Sequence, residues 1–140
     1  MSESENIATM KRFVDEVINQ GRLDVADEIV EEEFVELDPL PGQRQGREGL
    51  KEVIGMMRAA FPDIHWVDEE TVAAGDKVVT RFTWTGTHRG DFLGIPATSR
   101  RVAVKGVVID RLNAGKMADS RILMDTLGLM QQLGVIPMPG

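Results

Sequence analysis

The hydrophobic period of this chain switches from helical to alternating at Pro62. Upstream, apolar residues recur at helical spacing: Ile7, Met10, Val14, Val17 and Ile18, then Leu23, Ala26, Ile29 and Val30, then Leu50, Val53, Ile54 and Met57. Downstream, alternation of period two runs through residues 64–74, 77–88, 100–112 and 116–124, with turns at Gly75-Asp76 and at 113–115. Helices followed by sequential strands on tight turns specify an α+β fold with a largely antiparallel sheet. Strands twist, so such a sheet curves, and helices laid on one face leave a concavity where a small ligand fits.

Local signals set the element ends. Ser2 and Glu5 have capping-box spacing, and Gly21 stops the first helix. A second short helix spans 23–30, with Glu31, Glu32 and Glu33 expected as its solvated end. Phe34 opens a short strand over 34–37, and Pro39 and Pro41-Gly42 force irregular backbone after it. The third helix covers 47–60 and stops at Pro62; a last short helix covers 126–133. With no repeat, linker or low-complexity tract, residues 1–140 read as one domain, with 1–5 and 135–140 as loose tails.

Composition removes several classes of function. The 140 residues include no cysteine, which excludes disulfides and thiolate chemistry, and only two histidines, too few for an all-histidine zinc site. Net charge is −7, with 11 acidic and three basic residues in the first 36, the opposite of a phosphate-binding surface. No apolar run reaches the ~20 residues of a membrane span, and the acidic start is unlike a signal peptide. These features describe a cytoplasmic protein with neither a nucleic-acid nor a membrane partner. The Gly-Asp-Phe-Leu-Gly stretch at 90–94 lacks phosphate-cradle spacing, and no metal-ligand cluster or nucleophile elbow occurs, so no metal and no cofactor is expected.

Five segments, DPLPGQRQGREGLKEV, FPDIHW, GDKVVTRFTWTGTHRGDFLGIPAT, IDRLNAGKMAD and DTLGLMQQLG, together resemble the SnoaL-like polyketide cyclase (predicted ester cyclase) family, within the nuclear-transport-factor-like superfamily. The likeness runs over residues 6–137. It implies a curved sheet forming a cone closed by three helices of the N-terminal half, a homodimer packed through the sheet face, and cofactor-independent aspartate chemistry. It implies ring closure of aldol type on a flat apolar polyketide, with Asp125 in the position of the family's general acid/base. The superfamily's isomerases carry an aspartate before a proline where this chain has Asp38-Pro39. Leu37 stands where many members have histidine, and Arg121 to Met124 are unusually apolar. That departure makes a cofactor-free hydroxylase or isomerase of an aromatic polyketide the alternative activity, and a non-catalytic binding dimer the alternative class.

The residues carry readings of their own. Asp125, led into by Ile122, Leu123 and Met124, is a candidate acid/base because an apolar cavity disfavours its charged form; it is equally a preferred N-cap for the last helix. Asp38 is a second carboxylate for the cavity rim or a turn aspartate, and two such groups in one pocket divide acid and base roles. His88, at a strand end, suits proton relay or a structural hydrogen bond. Trp66, Trp84, Met57, Phe34 and Leu123 are the candidate substrate-binding wall, aromatic and methionine side chains offering broad contact, although each also serves as core. His65 belongs to the face opposite Trp66.

Overall fold

The computed structural model describes residues 2–137. Helix α1 (Glu3–Arg12) starts at an intact Ser2–Glu5 capping box and continues without a break into a π-helical turn over Phe13–Asn19. A 3₁₀ turn (Leu23–Val25) leads into the single turn of α2 (Ala26–Ile29), and strand β1 (Val30–Glu36) follows directly. Helix α3 (Gly46–Ala60) precedes four sequential strands: β2 (His65–Ala74), β3 (Lys77–Thr87), β4 (Arg101–Asn113) and β5 (Lys116–Met124). Helix α4 (Thr126–Leu133) closes the chain, ending at Gly134 in the left-handed conformation that glycine adopts freely.

The strands form one curved five-stranded sheet in the order β1-β5-β4-β3-β2, antiparallel except for the parallel β1–β5 pair. Alternation assigns the faces. Even-numbered residues of β3 and β4, and of β5 from Ser120 onward, such as Phe82, Val104 and Ser120, point toward the helices, while Arg81, Lys105 and Arg121 point outward. The architecture is the α+β cone that the family resemblance implies: α1, its π-helical extension and α3 cover the concave face of the sheet.

Two local expectations are corrected. Glu31, Glu32 and Glu33 lie in β1, not at a helix end. Glutamate favours helix locally, but Val30 and residues 35–36 pair with β5 from the far end of the chain, and that long-range ladder outweighs propensity. The expected N-terminal tail is ordered too: Ser2 to Glu5 form the cap and first turn of α1. Met1, and residues 138–140 of the expected C-terminal tail, lie outside the described residues. No helix of the described residues is long and apolar enough to cross a membrane.

Candidate active site

A cavity of about 460 Å³ lies between the concave sheet face and the helices, large enough for a drug-sized ligand. Its walls are mainly apolar. Met10, Phe13, Val14 and Ile18 come from α1 and the π-helical turn, Val53, Ile54 and Met57 from α3, and Val108, Met117 and Ile122 from the sheet. The π-helical turn has a direct structural consequence. The Asn19 carboxamide at its end grips the backbone of Trp66, its Nδ2 donating to the Trp66 carbonyl at 2.9 Å and its Oδ1 accepting from the Trp66 N–H at 2.7 Å. Arg58 Nη1 holds the same turn, donating to the carbonyls of Ile18 and Asn19 at 2.7 and 2.9 Å. Trp66 is thereby fixed in the wall, stacked on Phe82 with ring centroids 4.2 Å apart. Phe82 in turn lies against Gly106, its cross-strand partner on β4, where a methyl group would overlap both the ring and the Leu123 carbonyl oxygen.

The buried part of the cavity is acidic. Asp110 on β4, Ser120 on β5 and Glu36 on β1 are successive rungs of the ladder, with Ser120 paired to both neighbours. Asp110 is only 2% exposed, and Glu36 and Ser120 are buried beside it. Burial pushes the Asp110 carboxyl up to about 7; a hydrogen bond with Ser120 opposes the rise, and the charges of Glu36, Asp68 and Asp119 add to it. Glu36 is also raised, chiefly by burial, although its Oε2 accepts the Asp38 N–H at 3.0 Å. Asp68 on β2 is raised by burial as well, and its Oδ1 is buried without a hydrogen-bond partner. Asp110 is therefore a carboxyl group that holds or releases a proton near neutral pH inside an apolar chamber, the condition general acid/base chemistry requires.

Of the residues singled out from sequence, Phe34, Met57, Trp66, Leu123 and Asp38 all line this cavity. Leu123, 70% exposed, and half-buried Asp38 lie at its open side, where Arg121 Nη1 stands 3.8 Å from Asp38 Oδ1. Three others are placed elsewhere. Asp125 follows the inward-facing Met124, so alternation turns it away from the cavity. It is exposed, and its Oδ1 accepts the Gly128 N–H at 2.9 Å as the N-cap of α4. His88 is fully buried, packed on Phe61 with ring centroids 5.4 Å apart. Its Nδ1 accepts the Thr98 N–H at 3.2 Å, which ties down the loop before β4. Trp84 is fully buried as well, edge-on to Phe61 and donating to the Met124 sulfur at 3.3 Å. Phe61, Trp84 and Phe92 form a solid core at one end of the cone, and that core keeps Trp84 and His88 out of the cavity. His65 is exposed on the outer side, as alternation requires.

Asp110, Glu36, Asp68 and Ser120 were not picked out from the sequence, although one signal was present. Asp110 shares parity with Val102, Val104, Val108 and Leu112, so an ionisable group occupies a core-facing position of an apolar alternating strand. Glu36 shares parity with Phe34, and Asp68 with Ile64 and Trp66, so the same signal was present at both on shorter apolar stretches.

Similarity to known proteins bears on the family and the fold. The model of the SnoaL-like polyketide cyclase family matches residues 8–133. The chain is 30% identical over 118 residues to nogalonic acid methyl ester cyclase of Streptomyces nogalater, covering 83% of this chain and 88% of that one. It is 29% identical over 134 residues to aklanonic acid methyl ester cyclase DnrD of Streptomyces peucetius, covering 94% and 92%. Among solved structures it is similar to TsrD from Streptomyces laurentii, at a TM-score of 0.89 and 30% identity over 97% of this chain and 99% of that one. Fold, family model and relatives agree: this chain belongs to the SnoaL-like polyketide cyclase family.

Proposed function

We propose that this protein is a cofactor-independent cyclase of a flat, mainly apolar polyketide ester, with Asp110 as its proton shuttle. A buried carboxyl group lining an apolar cavity of about 460 Å³, pushed up to about 7 by that burial, is the observation that carries this reading. The likeness to two methyl ester cyclases supports the substrate class. In the reaction, ionised Asp110 takes a proton from a carbon flanked by carbonyl groups. The resulting enolate carbon attacks a second carbonyl of the same molecule, forming the C–C bond of the new ring and leaving an alkoxide. Protonated Asp110 returns its proton to that oxygen, so atoms balance with no added reagent. A pKa near ambient pH suits both halves of this cycle. Ser120, the cross-strand partner of Asp110, places a hydroxyl beside the carboxyl, and the apolar walls exclude water from the enolate.

Asp110→Asn keeps the volume of the group and removes its basicity. With an anthraquinone-type polyketide methyl ester as substrate, kcat/KM is expected to fall by about 10²–10⁴-fold. For the parent enzyme kcat/KM rises with pH through about 7, because the first step needs the ionised form. Turnover that survives Asp110→Asn within a few-fold overturns the assignment. Product mass separates the alternative activity: ring closure leaves the mass unchanged, whereas hydroxylation adds an oxygen.

A further inference from the structure

We propose that Glu36 and Asp68 are specificity-determining residues that make the cavity a charge filter, admitting a neutral ligand that brings hydroxyl donors and rejecting the same scaffold as a free carboxylate. This rests on the reading of the cavity as the substrate site. The first ground is the balance of charge on its walls. Four carboxylates line it, Glu36, Asp38, Asp68 and Asp110, against one basic side chain, Arg58. Arg58 Nη1 is committed to two backbone carbonyls, and Asp38 has Arg121 beside it at the open side. Among the described residues no salt bridge reaches Glu36, Asp68 or Asp110. Lys11, which acts on Asp68 from a distance, is ion-paired with Asp15 at 3.4 Å.

The second ground is the hydrogen-bond balance. Asp68 Oδ1 is buried with no donor, and such an atom gains most from a donor that arrives with the ligand. A phenol or enol hydroxyl facing these oxygens forms charge-assisted hydrogen bonds. A ligand carboxylate loses its hydration and meets like charges in surroundings of low dielectric. Apolar walls hold the body of the ligand in both cases, so the discrimination comes from the carboxylates. These carboxylates do not form a metal site, since no three acidic or histidine side chains among the described residues are arranged to share an ion.

The test is equilibrium binding at pH 8 of a hydroxylated anthraquinone methyl ester and its free acid, followed by quenching of tryptophan fluorescence. The ester is expected to bind the parent protein at least about tenfold more tightly than the acid. In Glu36→Gln, Asp68→Asn and the double variant, that ratio falls toward one: loss of the charge-assisted hydrogen bonds weakens both hydroxyl-bearing ligands alike, while loss of the like charges favours the acid alone. Equal affinity of ester and acid for the parent overturns the proposal, as does a ratio that persists in the double variant or an absence of binding by either ligand. Thermal melting of each variant verifies folding, and the two single variants keep the test open if the double variant does not fold. Binding is read without turnover. A protein that discriminates as expected but converts nothing keeps the filter and loses the cyclase reading; one that turns over ester and acid alike does the reverse.

Discussion

At the scale of single residues, alternation along a strand decides which aspartate can act. Asp110 and Asp125 both follow apolar runs, yet Asp110 has inward parity on β4 while Asp125 lies one residue beyond the inward-facing Met124. The consequence for stability has a definite sign. Folding raises the Asp110 pKa from an ordinary 3.8 to about 7, so the folded state keeps a proton that the unfolded chain releases in that interval. Its contribution is complete below about pH 4 and is lost as pH rises through 7. Asp110→Asn should therefore be more stable than the parent at pH 8, by up to about 4 kcal/mol, with the gap closing toward pH 4; denaturant unfolding at both pH values measures it. Asp125→Ala should instead cost about 1 kcal/mol through loss of the α4 cap and leave turnover within a few-fold. Loss of activity without loss of stability in that variant would return Asp125 to the catalytic group. Removing one like charge, as in Asp68→Asn, should move the midpoint of the pH–kcat/KM profile downward, because the Asp68 charge helps to raise Asp110.

At the scale of elements, the wall that presents Trp66 depends on a segment whose geometry changes midway. The passage from α-helix to π-helical turn at Phe13 rotates Phe13, Val14 and Ile18 into the cavity and delivers Asn19 to β2. π-Helical turns of this kind interrupt regular helices where a side chain must be re-aimed. Asn19→Ala removes two hydrogen bonds to the Trp66 backbone and leaves those groups unpaired, a cost of about 1–3 kcal/mol. KM for the ester should rise with little change in kcat, since the variant loosens a binding wall without touching Asp110; steady-state kinetics distinguishes the two. Equal falls in kcat and kcat/KM would place Trp66 in the chemical step.

At the scale of the whole molecule, the outer face of the sheet is the feature left without cover. Val35, Val67, Val107 and Ile109 are each 38–43% exposed there, on four positions where alternation points away from the helices. Arg81 is ion-paired with Glu70 and Arg111 with Asp119, so the sheet's charged residues are partly neutralised within the chain. We propose that a second copy of this chain covers this face, as the family resemblance implies; an apolar patch on a sheet is a self-complementary surface under two-fold symmetry. Val107→Asp and Ile109→Lys should each shift the protein from dimer to monomer in light scattering, while the cavity and its ligand binding persist. A parent protein that is monomeric at micromolar concentration refutes the assignment.

Legible in the residues were the α+β class, the switch of period at Pro62, the element ends at caps, glycines and prolines, and the apolar wall residues Phe34, Met57 and Trp66. All of these follow from interactions within a few residues or from a face that periodicity defines. Only the folded chain shows that β1 begins at Val30, that Trp84 and His88 are core, and that Glu36 and Asp68 line the same cavity as Asp110. Each depends on pairing between distant segments or on what fills the space behind a side chain. A strand's alternation says which way Asp110 points, but only the folded chain shows that it meets a cavity with three more carboxylates rather than packed core.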